Sequence, residues 1–194
     1  MGVSKYKESA LGASYHLYNR GNGKQIIFFG DEDRRLYLGL LRKFAIETGF
    51  LVIAYCLMPN HVHLLVRQRG QDGPSKLISR LHTSYSMYFN KKFGKVGHLF
   101  QGRYKQKIVA DDNYLVCLLS YIHLNPVKDQ LTLKPESYEW SSYGEYRSII
   151  VGGFSRRICD LEELEKLGIK VEQVVNKVDE FATKINSNDA FDSP

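Results

Sequence analysis

The sequence predicts an α+β fold: a ferredoxin-like antiparallel sheet of the split β-α-β kind with helices on one face, followed by a helical C-terminal extension. Three observations carry this. Segments of two-residue and of helical periodicity alternate in the order β-α-β-β-α-β-α, the order that builds such a sheet. A Met58-Pro59-Asn60 turn separates two apolar runs, as a hairpin requires. With 194 residues, 43% of them hydrophobic and 25% charged, the chain suffices for one ordinary core.

Each element has its own signal. Residues 14–20 (SYHLYNR) alternate as a strand, and Gly21 to Gly23 break it. A helix begins at Asp31, carries an apolar stripe of Leu36, Leu40, Phe44 and Ile46, and ends at Gly49. Residues 50–57 (FLVIAYCL) form a continuous apolar run suited to a central strand. After the turn, HVHLLVR makes the partner strand, closed by a Gly/Pro break at residues 70–74. A second helix over about residues 75–92 buries Leu77, Ile78, Leu81, Tyr85 and Phe89. A basic loop and a short strand near residues 104–110 follow. A third helix starts at Asp111-Asp112-Asn113, which are good N-cap residues, and ends before Pro126. Residues 136–150 read as coil with a short helix, and residues 160–184 as one or two amphipathic helices with a frayed end beyond. The organisation is thus a domain over residues 1–150 and an acidic extension over residues 151–194.

Composition narrows the partner. The net charge is +6, unevenly spread: residues 154–194 hold six basic and nine acidic side chains, leaving 21 basic against 12 acidic in residues 1–153. A basic body suits a polyanion, because paired Lys and Arg release counterions from phosphates. No apolar stretch is long enough to span a bilayer, so no membrane partner is expected. The first twenty residues show no apolar run of the secretory type. Cys56, Cys117 and Cys159 lack metal-type spacing and read as buried thiols in a reducing cytosol, hence a cytoplasmic protein.

The chemistry concentrates in two places. His61 and His63 are two residues apart in a strand, so both imidazoles project from one face, about 7 Å apart. Such a pair can hold a metal, but it also occurs as a surface pair on a solvated strand. On the third helix, Tyr121 and Asn125 stand at i and i+4 and share a face on the flank of the packed side formed by Leu115, Leu118, Leu119 and Ile122. Asn125 can offer an amide oxygen to a hard divalent ion. His123 points away from Tyr121 around the helix, and His16, His82 and His98 read as structural or surface residues.

MPNHVHLLV, then HLFQGRYKQKIV, then YIHLNPVK, with a softer YHLYNRGN near the start, resemble the HUH superfamily of single-tyrosine transposases and, within it, the REP-associated tyrosine transposases. The likeness runs from about Tyr15 to about Tyr146. It implies that His61 and His63 bind Mg2+ or Mn2+ with Asn125 as third ligand. It implies that Tyr121 attacks a DNA phosphodiester, forming a 5′-phosphotyrosine link and releasing a 3′-hydroxyl. It further implies a single-stranded DNA substrate with a hairpin, and a protein working as a monomer or homodimer. Asn125 stands where some relatives carry glutamine.

Between Asn90 and Lys107 the chain carries Lys91, Lys92, Lys95, Arg103, Lys105 and Lys107 with no acid, interleaved with Phe93, Phe100 and Tyr104. Cations along a backbone, with rings on which bases stack, suit single strands, and Phe100 and Tyr104 are the candidate platforms. A non-catalytic DNA- or RNA-binding regulator on the same fold stays open as the alternative; a tyrosine-dependent nicking and strand-transfer enzyme is the expectation.

Overall fold

Four strands form one antiparallel sheet in the order β2-β3-β1-β4, where β1 is Ser14–Arg20, β2 Phe50–Leu57, β3 His61–Gln68 and β4 Lys105–Val109. β1 and β2 run parallel with β3 inserted between them, which is the split β-α-β arrangement. The computed structural model describes residues 10–109, 111–153 and 157–187, with the backbone alone at Asp112 and Asn113. The start of the chain and residues 188–194, most of the expected frayed end, lie outside the described residues.

Helix α1 (Asp31–Thr48) ends where Gly49 turns into the left-handed region at φ 70°. A Cβ at Gly49 would stand 2.6 Å from the Gly70 Cα, so glycine is required there twice over, by dihedral and by space. The buried stripe of α1 is rotated from the expected one. Tyr37, Leu38, Leu41, Phe44 and Ala45 face inward, Leu36 and Leu40 are half-buried, and Ile46 is 72% exposed. Tyr37 displaces the stripe by roughly one position because its large ring packs against Phe28 and Tyr85. Helix α2 (Pro74–Phe93) buries the five apolar residues expected of it and packs on α1.

Helix α3 (Asp112–Lys128) differs from expectation at its end. Asp111 caps its start by accepting from the Tyr114 N–H at 2.8 Å, but the helix runs through Pro126. A proline there removes the N–H that would bond the Ile122 carbonyl. The Asn125 side chain supplies a substitute, its Nδ2 donating to the Ile122 carbonyl at 3.3 Å and to the Tyr121 carbonyl at 2.8 Å.

The ferredoxin-like sheet stands, with one refinement. Tyr15, Leu17, Val62, Leu64 and Val66, each at most 1% exposed, form one face of the sheet. Helix α3 lies against the other face, so helices cover both. The remaining chain packs back on this body. Helix α4 (Tyr143–Ile150) supplies Glu145, whose carboxylate accepts from the Tyr55 hydroxyl and the backbone N–H groups of Ile158 and Cys159. Helix α5 (Glu162–Lys166) carries Glu163, 1% exposed, which pairs with Arg67 and Arg69. Helix α6 (Val171–Asn186) lies on α3 and α4. All three cysteines are free, Cys56 and Cys159 buried and Cys117 half-buried. No described helix is long and apolar enough to cross a membrane.

Candidate active site at the histidine pair

Strand pairing assembles the site. β3 lies beside β1 so that His63 stands opposite Tyr18 and His61 opposite Arg20. β4 brings Lys105 opposite Tyr18 and Lys107 opposite His16. Partners across an antiparallel ladder project from the same face, so three histidines, two lysines, an arginine and a tyrosine share one side of the sheet.

The two histidines of the pair are held alike. The His61 Nδ1 donates to the Asn60 Oδ1 at 2.7 Å, since an amide oxygen can only accept. The His63 Nδ1 meets the His16 Nε2 at 3.0 Å. Among the described residues, neither Nε2 of the pair has a protein hydrogen-bond partner. Burial lowers both values from the ordinary histidine range, for His63 well below it with His16 and His61 adding to the effect, and for His61 with Arg20 adding and Asp129 opposing. Both rings are therefore neutral at pH 7, which is the form that can donate a lone pair.

Tyr121 enters from α3. Its ring stands edge-on to His63 with centroids 5.6 Å apart, and to His16 at 6.2 Å. The three, with Tyr18 and Lys107, line one cavity of about 300 Å3. Burial raises the phenol above its ordinary value, and Tyr18, Asp129 and Cys56 add to the rise. The hydroxyl is thus protonated at rest. The Lys128 ammonium lies 4.8 Å from the ring centroid, and that of Lys105 lies 6.0 Å from the Tyr18 centroid.

Asn125 is only 5% exposed. Its amide nitrogen is occupied by the two helix carbonyls, so the oxygen is the atom left for a ligand role. Among the described residues no group of three His, Cys, Asp or Glu side chains is arranged to hold a metal.

The basic loop divides. Arg103 and Lys105 line a cavity of about 460 Å3 with His61, His63 and Arg20, and Lys107 lines the Tyr121 cavity. Lys91 and Lys95 are exposed. Lys92 is already engaged by Glu32 and Asp33, each at 2.7 Å. Phe100 is 7% exposed and stacked on His82 at 3.9 Å between centroids, so its ring is packed rather than offered to a base. Tyr104 is half-buried, and its hydroxyl donates to Gln106.

Three residues at this site escaped the sequence reading: His16, Asn60 and Lys128. His16 had a signal, since it shares the two-residue period of β1 with Tyr18 and Arg20, but only the register of β1 on β3 sets it beside His63. Lys128 lies beyond the proline at which the helix was expected to stop.

The family described as "Transposase IS200 like" matches residues 9–125. A Haemophilus influenzae protein named as a REP-associated tyrosine transposase is 28% identical over 124 residues, covering 58% of this chain and 68% of that protein. A solved REP-associated tyrosine transposase bound to a REP hairpin superposes with a TM-score of 0.60 at 16% identity, covering 81% of this chain and 94% of the other.

Proposed function

The chain belongs to the IS200-like transposase family, and on that premise we propose that it nicks and rejoins single-stranded DNA through Tyr121, with a divalent metal on His61 and His63. The observation that carries this reading is the edge-on approach of Tyr121 to His63 within one cavity, 5.6 Å between centroids. The Tyr121 oxygen attacks the phosphorus, the P–O3′ bond breaks, and the products are a 5′-phosphotyrosine and a 3′-hydroxyl. The phosphotyrosine keeps the bond energy needed for rejoining, so strand transfer needs no nucleotide cofactor.

The donor set fits a hard or borderline divalent ion. Each histidine of the pair has Nδ1 committed and Nε2 free, the arrangement in which an outer hydrogen bond fixes ring and tautomer. Asn125 would add its Oδ1 as the third protein ligand. When bound, Mg2+ or Mn2+ would neutralise charge on the attacked phosphate and so lessen the activation the phenol needs. The phenol itself is poorly nucleophilic while protonated, and Lys128 over its ring favours the anion as the proton leaves. Arg20, Arg103, Lys105 and Lys107 surround the same cavities and would hold the DNA backbone. Lys91, Lys95 and Tyr104 extend that surface along the loop. The substrate we infer is single-stranded DNA beside a hairpin; the structural relative is bound to a REP hairpin.

The test is incubation of end-labelled hairpin DNA bearing single-stranded flanks with the protein and Mn2+, followed by a denaturing gel. A slow-migrating protein–DNA adduct is expected with Mn2+ and none with EDTA. Cleavage undiminished by EDTA sinks the metal role.

His16 gives a separate prediction. Donation from the His63 Nδ1–H to the His16 Nε2 leaves the His63 Nε2 lone pair free for the metal. His16→Leu is expected to weaken Mn2+ binding by about 10- to 100-fold in a calorimetric titration, with His16→Gln recovering part of the loss because its amide oxygen can accept. Unchanged affinity in His16→Leu contradicts the positioning role.

A further inference from the structure

A cavity of about 760 Å3 lies apart from the one that holds the histidine pair. It is a cleft between α2 and the loop before β4. Ser79, Thr83, Ser86 and Asn90 form a ladder of short polar side chains along one helix face, and Arg103 and Tyr104 stand on the opposite wall. No aspartate or glutamate lines it. At the sheet it shares Asn19 and Arg103 with the histidine cavity. That cavity in turn shares Tyr18 and His63 with the cavity of Tyr121. Through these shared wall residues the three spaces follow one another in order, with Tyr121 at one end, the histidine pair in the middle and the cleft at the other end.

From this order we infer that the cleft binds single-stranded DNA on the 5′ side of the attacked phosphate. The ligand class follows from the walls. Hydroxyl and amide groups hydrogen-bond base edges and phosphate oxygens, an arginine pairs with phosphate, and the absence of carboxylates suits a polyanion. A concave slot between a helix and a loop admits unstacked bases, whereas a duplex is read by elements that enter its own grooves. The strand direction follows from the chemistry. In-line displacement puts the attacking oxygen and the departing O3′ on opposite sides of the phosphorus. With Tyr121 on one side of the histidine pair, O3′ and the nucleotides attached to it leave on the other, toward Arg103 and the cleft. As the Tyr121 O–P bond forms and the P–O3′ bond breaks, the phenol gives up its proton and O3′ gains one. The cleft then retains the strand that ends in a 3′-hydroxyl, poised for rejoining. The direction rests on Tyr121 as the attacking group; occupancy of the cleft by a single strand does not.

The experiment is photo-crosslinking with the full chain carrying Tyr121→Phe, which leaves the DNA intact. A hairpin substrate whose nick has been mapped with the unaltered protein receives 4-thiothymidine either two nucleotides 5′ or two nucleotides 3′ of the nicked phosphate. Crosslinked peptides are identified by mass spectrometry. The 5′ probe is expected on residues 79–90 or 97–104, and the 3′ probe outside both segments. Exchange of the two patterns, or a 5′ probe absent from both segments, overturns the proposal. If the protein nicks no substrate, the transposase mechanism fails first. The cleft is then tested alone with a fluorescein-labelled pool of randomised eight-nucleotide single strands in EDTA. Ser79→Trp and Thr83→Trp, both at exposed helix positions, are expected to weaken binding at least tenfold while the circular dichroism spectrum is unchanged. Binding equal to that of the unaltered protein overturns cleft occupancy.

Discussion

Tyr121→Phe is expected to bind hairpin-bearing single-stranded DNA as the unaltered protein does and to lose at least about 10^3-fold in nicking rate, roughly 4 kcal/mol of barrier. The size of the effect comes from the nature of the change. The variant keeps the ring that stands edge-on to His63 and beneath Lys128, so packing and the cavity wall persist. Only the oxygen that would bond to phosphorus is gone. A half-buried hydroxyl that stays protonated at rest contributes little to binding, so affinity measured by fluorescence anisotropy and nicking measured by gel should separate cleanly. A variant that nicks within tenfold of the unaltered rate would mean that another group, or water, makes the attack.

The second large effect is acid lability. His123 is fully buried in α3, its Nε2 bonded to the Ser142 hydroxyl at 2.9 Å and its Nδ1 without a hydrogen-bond partner. His82 is partly buried, stacked on Phe100 and bonded to the Tyr37 hydroxyl. Burial lowers both from 6.5 to about 3. Because these folded values lie below those of the unfolded chain, the unfolded state takes up protons first as pH falls. The stability the two neutral rings contribute is complete above about pH 6.5 and is lost progressively as pH falls toward about 3. Each group adds a slope of about 1.4 kcal/mol per pH unit, so the pair gives nearly 3. The pair alone removes about 4 kcal/mol by pH 5 and about 9 by pH 3, so a stability in the lower part of the usual range of about 5–15 kcal/mol is expected to be exhausted between about pH 3 and 5. Urea titrations at a series of pH values measure the slope, and His82→Phe, which keeps the stacking ring, should lower it by about 1.4 kcal/mol per pH unit. A stability independent of pH from 7 to 4 would contradict the buried neutral histidines.

Much of this was legible in the chain. The His-x-His spacing puts two imidazoles on one strand face by geometry alone, and Tyr121 with Asn125 shares a helix face by the same kind of argument. The five buried residues of α2 follow its periodicity, and Asp111 caps α3 as its residue type suggests. What escaped was set by non-local packing. His16 reaches His63 only through the register of two strands 47 residues apart in sequence. The stripe of α1 turned because Tyr37 fits between Phe28 and Tyr85, a contact no local period contains. The run of α3 past Pro126 depends on a side-chain amide repairing the broken ladder, so the proline looked like an end and Lys128 was lost with it. Phe100 looked like a stacking platform because an aromatic among lysines carries no sign of which way it faces; the structure packs it on His82.

The central claim is that Tyr121 becomes the covalent carrier of the DNA. The most direct measurement is tandem mass spectrometry of the adduct formed with Mn2+ on a hairpin-bearing single strand, after digestion of protein and DNA. The account predicts a nucleotide 5′-phosphate on the Tyr121 peptide and a released strand whose 3′-hydroxyl a polymerase can extend. A nucleotide on any other residue, or cleaved DNA bearing a free 5′-phosphate with no protein attached at any time, would contradict it.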